Sequence, residues 1–231
     1  MLRGREKYLR SIVAMVVVIS GLMASATVPF TQAGSRSNPR VLPLSAKPYG
    51  LTYAQWSAKW FQWGLALPVD GHPFIGCPDP FDAGQSGPVW FLAGQFGTVE
   101  CSFTVPVGKA VFFPLANAEC SSLEDPPFHG DTDAEQRACA KSFADQIDPT
   151  SLFCEIDGVP VENLARYRFV SPQFSFTAPT PWIFGPVGGT GTSVGDGYYL
   201  LLAPLSKGEH TIRFGSASFG VDSTYHLTVG P

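Results

Sequence analysis

Six ionisable side chains crowd the fifteen residues from Glu119 to Asp133: Glu119, Glu124, Asp125, His129, Asp131 and Asp133. Carboxylates in close array suit two kinds of chemistry. A hard cation such as Ca²⁺ takes several oxygen ligands at once, and Glu119, Asp125, Asp131 and Asp133 are the candidates for that role. Two carboxyls whose surroundings split their pKa values act as general acid and general base, and Glu119, Glu124 and His129 are the candidates there. The spacing does not follow an EF-hand loop, which needs D-x-[DN]-x-[DN]-G and a distal Glu. Against both stands a plain alternative, a solvated acidic loop whose last residues favour the N-terminus of the helix that follows.

Two other polar groupings compete with it. Asp70, His72, Asp79 and Asp82 lie in the loop from Val69 to Gly87, but Asp beside Gly and Pro is ordinary turn chemistry. Near the C-terminus, alternation turns Thr211 and Arg213, and then Thr224, His226 and Thr228, to one side of two strands. Thr211, Arg213 and His226 are the candidates for binding a sugar or a partner, although any half-solvated sheet shows such a face. His210 shares the other side with Ile212 and Phe214 and reads as a core histidine with its own partners. Gly84-Gln-Ser-Gly-Pro falls one residue short of a G-x-S-x-G elbow, so Ser86 has no special claim as a nucleophile. A phosphate cradle of the G-x-x-x-x-G-K-[ST] type is also missing.

Five cysteines make two bridges and one leftover thiol in an exported chain. Cys154 lies between Leu152 and Ile156 on a core-facing strand, which makes it the free one. Pairing neighbours gives Cys77–Cys101 and Cys120–Cys139, each bridge worth roughly 3 kcal/mol. The second would pin the acidic stretch at both ends.

The elements that must position these groups are mostly strands. Leu51 to Leu67 is the exception: Thr52 is a plausible N-cap, and Tyr53, Trp56, Trp60, Trp63 and Leu67 recur at helical spacing until Pro68. A tryptophan stripe serves as a sugar platform in some settings, but at this spacing it reads as core. Thr132 to Glu135 has capping-box spacing, which starts a second helix running to about Ile147 with Cys139, Phe143 and Ile147 inward. Strands are expected at Val89–Ala93, Thr98–Val105 and Lys109–Leu115, and again from Leu152, where Asp157-Gly158 signals a hairpin. Short strands follow at Tyr167–Val170 and Phe174–Thr177. Pro179–Gly197, with six glycines, reads as a long surface loop. Tyr198–Ala203 is apolar throughout and must be covered on both faces. Glu209–Phe214 and Thr224–Val229 complete the set. The expected fold is mainly β, an antiparallel sandwich of jelly-roll or immunoglobulin-like type with one N-terminal Trp-rich helix and one inserted helix.

Residues 1–26 read as a secretory signal, with a basic start, an apolar run and Ala24-Ser25-Ala26 as cleavage site. Residues 27–48 read as a linker or arm, and 49–231 as one domain. Without residues 1–26, which hold Arg3, Arg5, Lys7, Arg10 and Glu6, the net charge falls from −4 to −7. A chain of that sign has no basic patch for nucleic acid, and no other stretch is long enough to span a bilayer as a helix.

Tyr53-Ala-Gln-Trp-Ser-Ala-Lys-Trp, Gly84-Gln-Ser-Gly-Pro-Val-Trp-Phe-Leu-Ala-Gly, Gly108-Lys-Ala-Val-Phe-Phe-Pro and Asp196-Gly-Tyr-Tyr-Leu-Leu-Leu-Ala-Pro-Leu form a distinctive set. With Gly208-Glu-His-Thr-Ile they resemble a group of secreted bacterial proteins that brings no assigned activity with it. The closing hairpin is similar to the last strands of immunoglobulin-like sandwiches. The resemblance implies a single exported domain and carries over no catalytic residue. The function expected is a non-catalytic binding module, secreted or in the cell envelope, for a small molecule, a glycan or another envelope component. The alternative is a secreted hydrolase of glycosidic, ester or lactone bonds that uses the acidic stretch.

Overall fold

Two long apolar runs pair to make the centre of the molecule. In the computed structural model, which describes residues 39–231, β3 (Ala110–Ser121) runs antiparallel to β8 (Gly189–Leu202), from Val111 opposite Leu202 to Ser121 opposite Ser193. The register slips once, between Pro114 and Ala116. Proline has no amide hydrogen for the ladder, so a bulge is the natural consequence there. The signal-sequence reading of 1–26 lies outside the described residues. Of the arm, residues 39–48 are described, and they dock by backbone hydrogen bonds such as Leu42 N–H to Leu201 O (2.9 Å).

Around this pair the chain builds two sheets of five strands. The first has the order β1 (Val89–Phe91), β3, β8 and β6 (Arg168–Val170), with β7 (Phe174–Ala178) also on β8. The second has the order β2 (Gly97–Pro106), β10 (Val221–Gly230), β9 (Gly208–Ser216), β4 (Leu152–Ile156) and β5 (Val159–Pro160). All pairings are antiparallel except β1 with β3 and β2 with β10, which are parallel. The sheets pack face to face as a sandwich. Phe113 of the first meets Phe214 of the second at 4.4 Å between ring centroids, and the buried Tyr225 hydroxyl donates to Ala93 O at 2.8 Å.

The helix α1 (Tyr53–Leu65) covers the outer face of the first sheet. A complete capping box starts it: the Thr52 hydroxyl accepts from Gln55 N, and the Gln55 side chain accepts from Thr52 N. Its three indoles are buried, and each N–H donates to a backbone carbonyl: Trp56 to Pro48, Trp60 to Leu92 and Trp63 to Ala83. Those bonds make the stripe core, as its spacing predicted.

Three expectations need correction. The strand expected at Lys109–Leu115 does not stop there, since β3 continues to Ser121. The glycine-rich stretch is not all loop either, since Gly189–Gly197 is the first part of β8. Its glycines are there for close approach: a Cβ on Gly195 would overlap the Phe61 ring of α1, and one on Gly197 would overlap Asn117. The helix α2 (Asp133–Ala144) begins with the predicted capping box, Thr132 and Glu135, but its buried stripe is Gln136, Ala140 and Ala144. Cys139 and Phe143 sit on the flank of that stripe and are half-buried. Both predicted disulfides are present, Cys77–Cys101 and Cys120–Cys139, and Cys154 is free and buried. Among the described residues no helix is long and apolar enough to cross a membrane.

Candidate functional site

Beyond the bulge, strand alternation puts Asn117, Glu119 and Ser121 of β3 on one side. Ser193 of β8 lies opposite Ser121, and its hydroxyl donates to Glu119 Oε2 and to Cys120 O. Glu119 is therefore on a strand and only 6% exposed, not in a solvated loop. The chain then turns sharply, because the Ser121 hydroxyl accepts from the amides of Leu123 and Glu124, both at 3.3 Å. That turn folds Glu124 back over the strand, where Ser121 donates to its Oε2 at 2.9 Å.

The result is a pair of facing carboxyls. Burial raises Glu119 well above the usual carboxylate range, and the neighbouring Glu124 raises it further. Burial raises Glu124 too, against the lowering effect of its bonds to Glu119 and Ser121. Glu119 Oε1 is buried with no donor to pair it. The group beside it is another carboxyl, so a single proton held by the two is the arrangement of lowest cost. Nearby, the Asn117 amide lies close to the Tyr199 hydroxyl but out of hydrogen-bond geometry, and both atoms are buried without partners.

These groups stand at one end of a cavity of about 680 Å³ that follows the edge of β3 from Pro114 to Glu119. That edge is open because β1 covers β3 only from Ala110 to Phe112. Trp60 and Phe61 of α1 form one wall, and Phe128 and Phe143 form another. The last two rings stack at 4.5 Å, and the Cys120–Cys139 bridge holds α2 and its Phe143 beside β3. Phe74, Phe96, Phe184 and Phe219 contribute from loops. Around the opening, Ile75, Phe96, Phe128 and Phe184 are 63%, 76%, 40% and 46% exposed, which gathers four large apolar side chains at one place on the surface. The titratable groups in the lining are Glu119, Glu124 and Asp125, with no Lys, Arg or His.

The acidic residues singled out in the sequence thus separate. Glu119 and Glu124 come together, and Asp125 lines the same cavity. His129 stays outside: Nδ1–H donates to Glu124 O at 2.7 Å, and Nε2 meets Asp131 Oδ1 at 3.1 Å. Those two acceptors favour its protonated form, the Glu124 carbonyl most. Asp133 pairs with Arg137 at 2.8 Å, one turn along α2. The proposed Ca²⁺ set of Glu119, Asp125, Asp131 and Asp133 is therefore not assembled. Among the described residues no three His, Cys, Asp or Glu side chains converge as metal ligands.

The C-terminal patch does form, since Thr211 lies opposite His226 and Arg213 opposite Thr224. Its groups are engaged with one another. Arg213 makes two bonds to Asp222 (3.0 and 2.9 Å), His226 meets Glu100 at 2.7 Å, and Thr211 meets His226 at 3.2 Å. None of the three lines the cavity. His210 is partnered as expected, by Asp157 and the Ser206 carbonyl. His72, in the second acidic cluster, is buried, and burial lowers its pKa against the raising effect of its bond to Gly64 O; Nδ1 accepts from Phe74 N–H.

Sequence reasoning missed the aromatic lining. A signal was present: Phe74, Phe96, Phe128 and Phe184 each sit in a loop beside Pro or Gly, where a large ring has no strand or helix face to cover. No protein-family model, no curated protein and no solved structure matches this chain.

Proposed function

We propose that this chain is an exported, non-catalytic binding module whose cavity takes a small, largely apolar molecule. The supporting observation is the cavity: its volume lies within the range of small-molecule pockets, it is lined by rings, and its few polar groups sit at one end. A glycan suits this lining poorly, because each sugar hydroxyl needs a partner and the polar groups here are four side chains at one end. The signal-like first 26 residues and the two disulfides support a place outside the cytoplasm.

The test is a fluorescence titration with the neutral apolar dye phenylnaphthylamine. Saturable binding at one site per chain is expected, and emission that rises only linearly with dye would overturn the reading. A hydrolase remains the second reading, favoured by the facing carboxyls, one of which would hold a proton to deliver. Turnover of a chromogenic ester, lactone or glycoside that disappears in Glu119→Gln would replace the binding module with that enzyme.

A further inference from the structure

We infer that the ligand is a hydrophobic cation, an ammonium group carried on an apolar body. This rests on the cavity reading above and names the chemistry it selects. Two independent features of the lining agree. The first is its charge: Glu119, Glu124 and Asp125 are all acidic and no basic side chain lines the cavity, His129 acting on Glu124 only from outside, where it is engaged with the Glu124 carbonyl and Asp131. Glu119 and Glu124 stand where water is largely excluded, so even a pair that keeps one proton leaves a negative charge with little solvent to stabilise it. Oε1 of Glu119 has no partner other than the proton it shares with Glu124, and an ammonium nearby supplies the missing positive field. The neutral donors at that end, the Asn117 amide in the lining and the Ser121 and Ser193 hydroxyls behind it, are dipoles and do not balance the carboxyls.

The second feature is the rings. Aromatic faces carry negative potential, and a cation over such a face is attracted more strongly as water is removed. Trp60, Phe61, Phe128 and Phe143 surround the same space as the carboxyls. Rings alone would accept any apolar guest, and carboxyls alone would accept any cation. Together they favour a molecule that is both, and they disfavour a fatty acid or other apolar anion, whose charge would meet Glu119 and Glu124.

Three probes with one tail and different heads test this: phenylbutylamine, phenylbutanol and phenylbutanoate, measured by calorimetry and by displacement of phenylnaphthylamine. The amine is expected to bind about tenfold or more tighter than the alcohol, the scale of a desolvated cation–π contact, and the acid weakest. Glu119→Gln and Glu124→Gln are each expected to weaken the amine far more than the alcohol, which removes most of the amine's advantage. Equal binding of the three, or preference for the acid, overturns the inference, and the wild-type ranking alone is enough to do so. If the dye still binds in that case, the cavity reading stands without the cation. If neither dye nor probes bind, both fail. An amine preference that survives in both Gln variants removes the carboxyl pair from the account.

Discussion

Glu119 is the residue on which the site turns, and its surroundings make a measurable difference to stability. Burial and the facing Glu124 raise its pKa, so between the ordinary carboxylate range and that raised value the folded chain holds a proton that the unfolded chain has lost. Folded protein binding the extra proton means stability falls as pH rises through that window. Glu124 acts in the same direction, and so does His129, whose raised pKa likewise means stability lost as pH rises, although its charge offsets part of the rise in Glu124. Tyr199 and Asp125 are the other ionisable groups close by. Glu119→Gln keeps an acceptor for Ser193 and removes the charge. Thermal melts from acid to alkaline pH should show a shallower decline for this variant, and a gain of about 1–3 kcal/mol over wild type at neutral pH, the cost of a poorly paired buried group. A slope identical to that of wild type would mean that Glu119 is ionised without penalty. The sequence marked Glu119 and Glu124 as an acid pair, because carboxylates so close in the chain stand out. It held no indication that Ser121 would turn one back onto the other, since serine is ordinary at any turn.

At the level of elements, the parts of the sequence that carried a period or a cap were legible, and the parts that spoke through absence were not. α1, the capping box of α2, the Asp157-Gly158 turn and both bridges follow from side chains that are present. Gly195 escapes a local reading because its role is set by Phe61, far away in the chain. The face of α2 escapes it because the buried stripe begins with a polar residue. Gln136 donates to Gly130 O (2.8 Å) and Thr192 Oγ1 (2.9 Å), so no hydrophobic pattern could reveal it. An ion pair adds to the Cys120–Cys139 bridge and the Gln136 bonds in tying α2 to the first sheet. Arg168 of β6 makes two bonds to Asp196 of β8, which is 1% exposed, and reaches Asp145 at the end of α2 at 2.7 Å. Arg168→Ala leaves Asp196 buried and unpaired and should cost about 3–5 kcal/mol in denaturant melts. Arg213→Ala, which breaks the exposed pair with Asp222, should lower stability far less. Similar losses for the two would show that burial is not what gives the first pair its weight.

For the molecule as a whole, the sandwich supplies a rigid frame and the loops supply the pocket. β3 is the shared member: its paired edge builds the first sheet, and the edge that β1 leaves open becomes the cavity floor. A sequence reading recovers the frame, because alternation and apolar runs are local. It does not recover the cavity, whose rings come from α1, five loops and α2, brought together by tertiary contacts that no window of sequence contains. The competing site is the Thr211, Arg213 and His226 face of the second sheet, already engaged in its own bonds. One comparison separates the two. Phenylnaphthylamine binding should be lost in Ala118→Trp, which places an indole in the cavity, and retained in Arg213→Ala, with both variants melting cooperatively. Binding that survives Ala118→Trp, or that disappears in Arg213→Ala, would contradict the assignment of the cavity as the binding site.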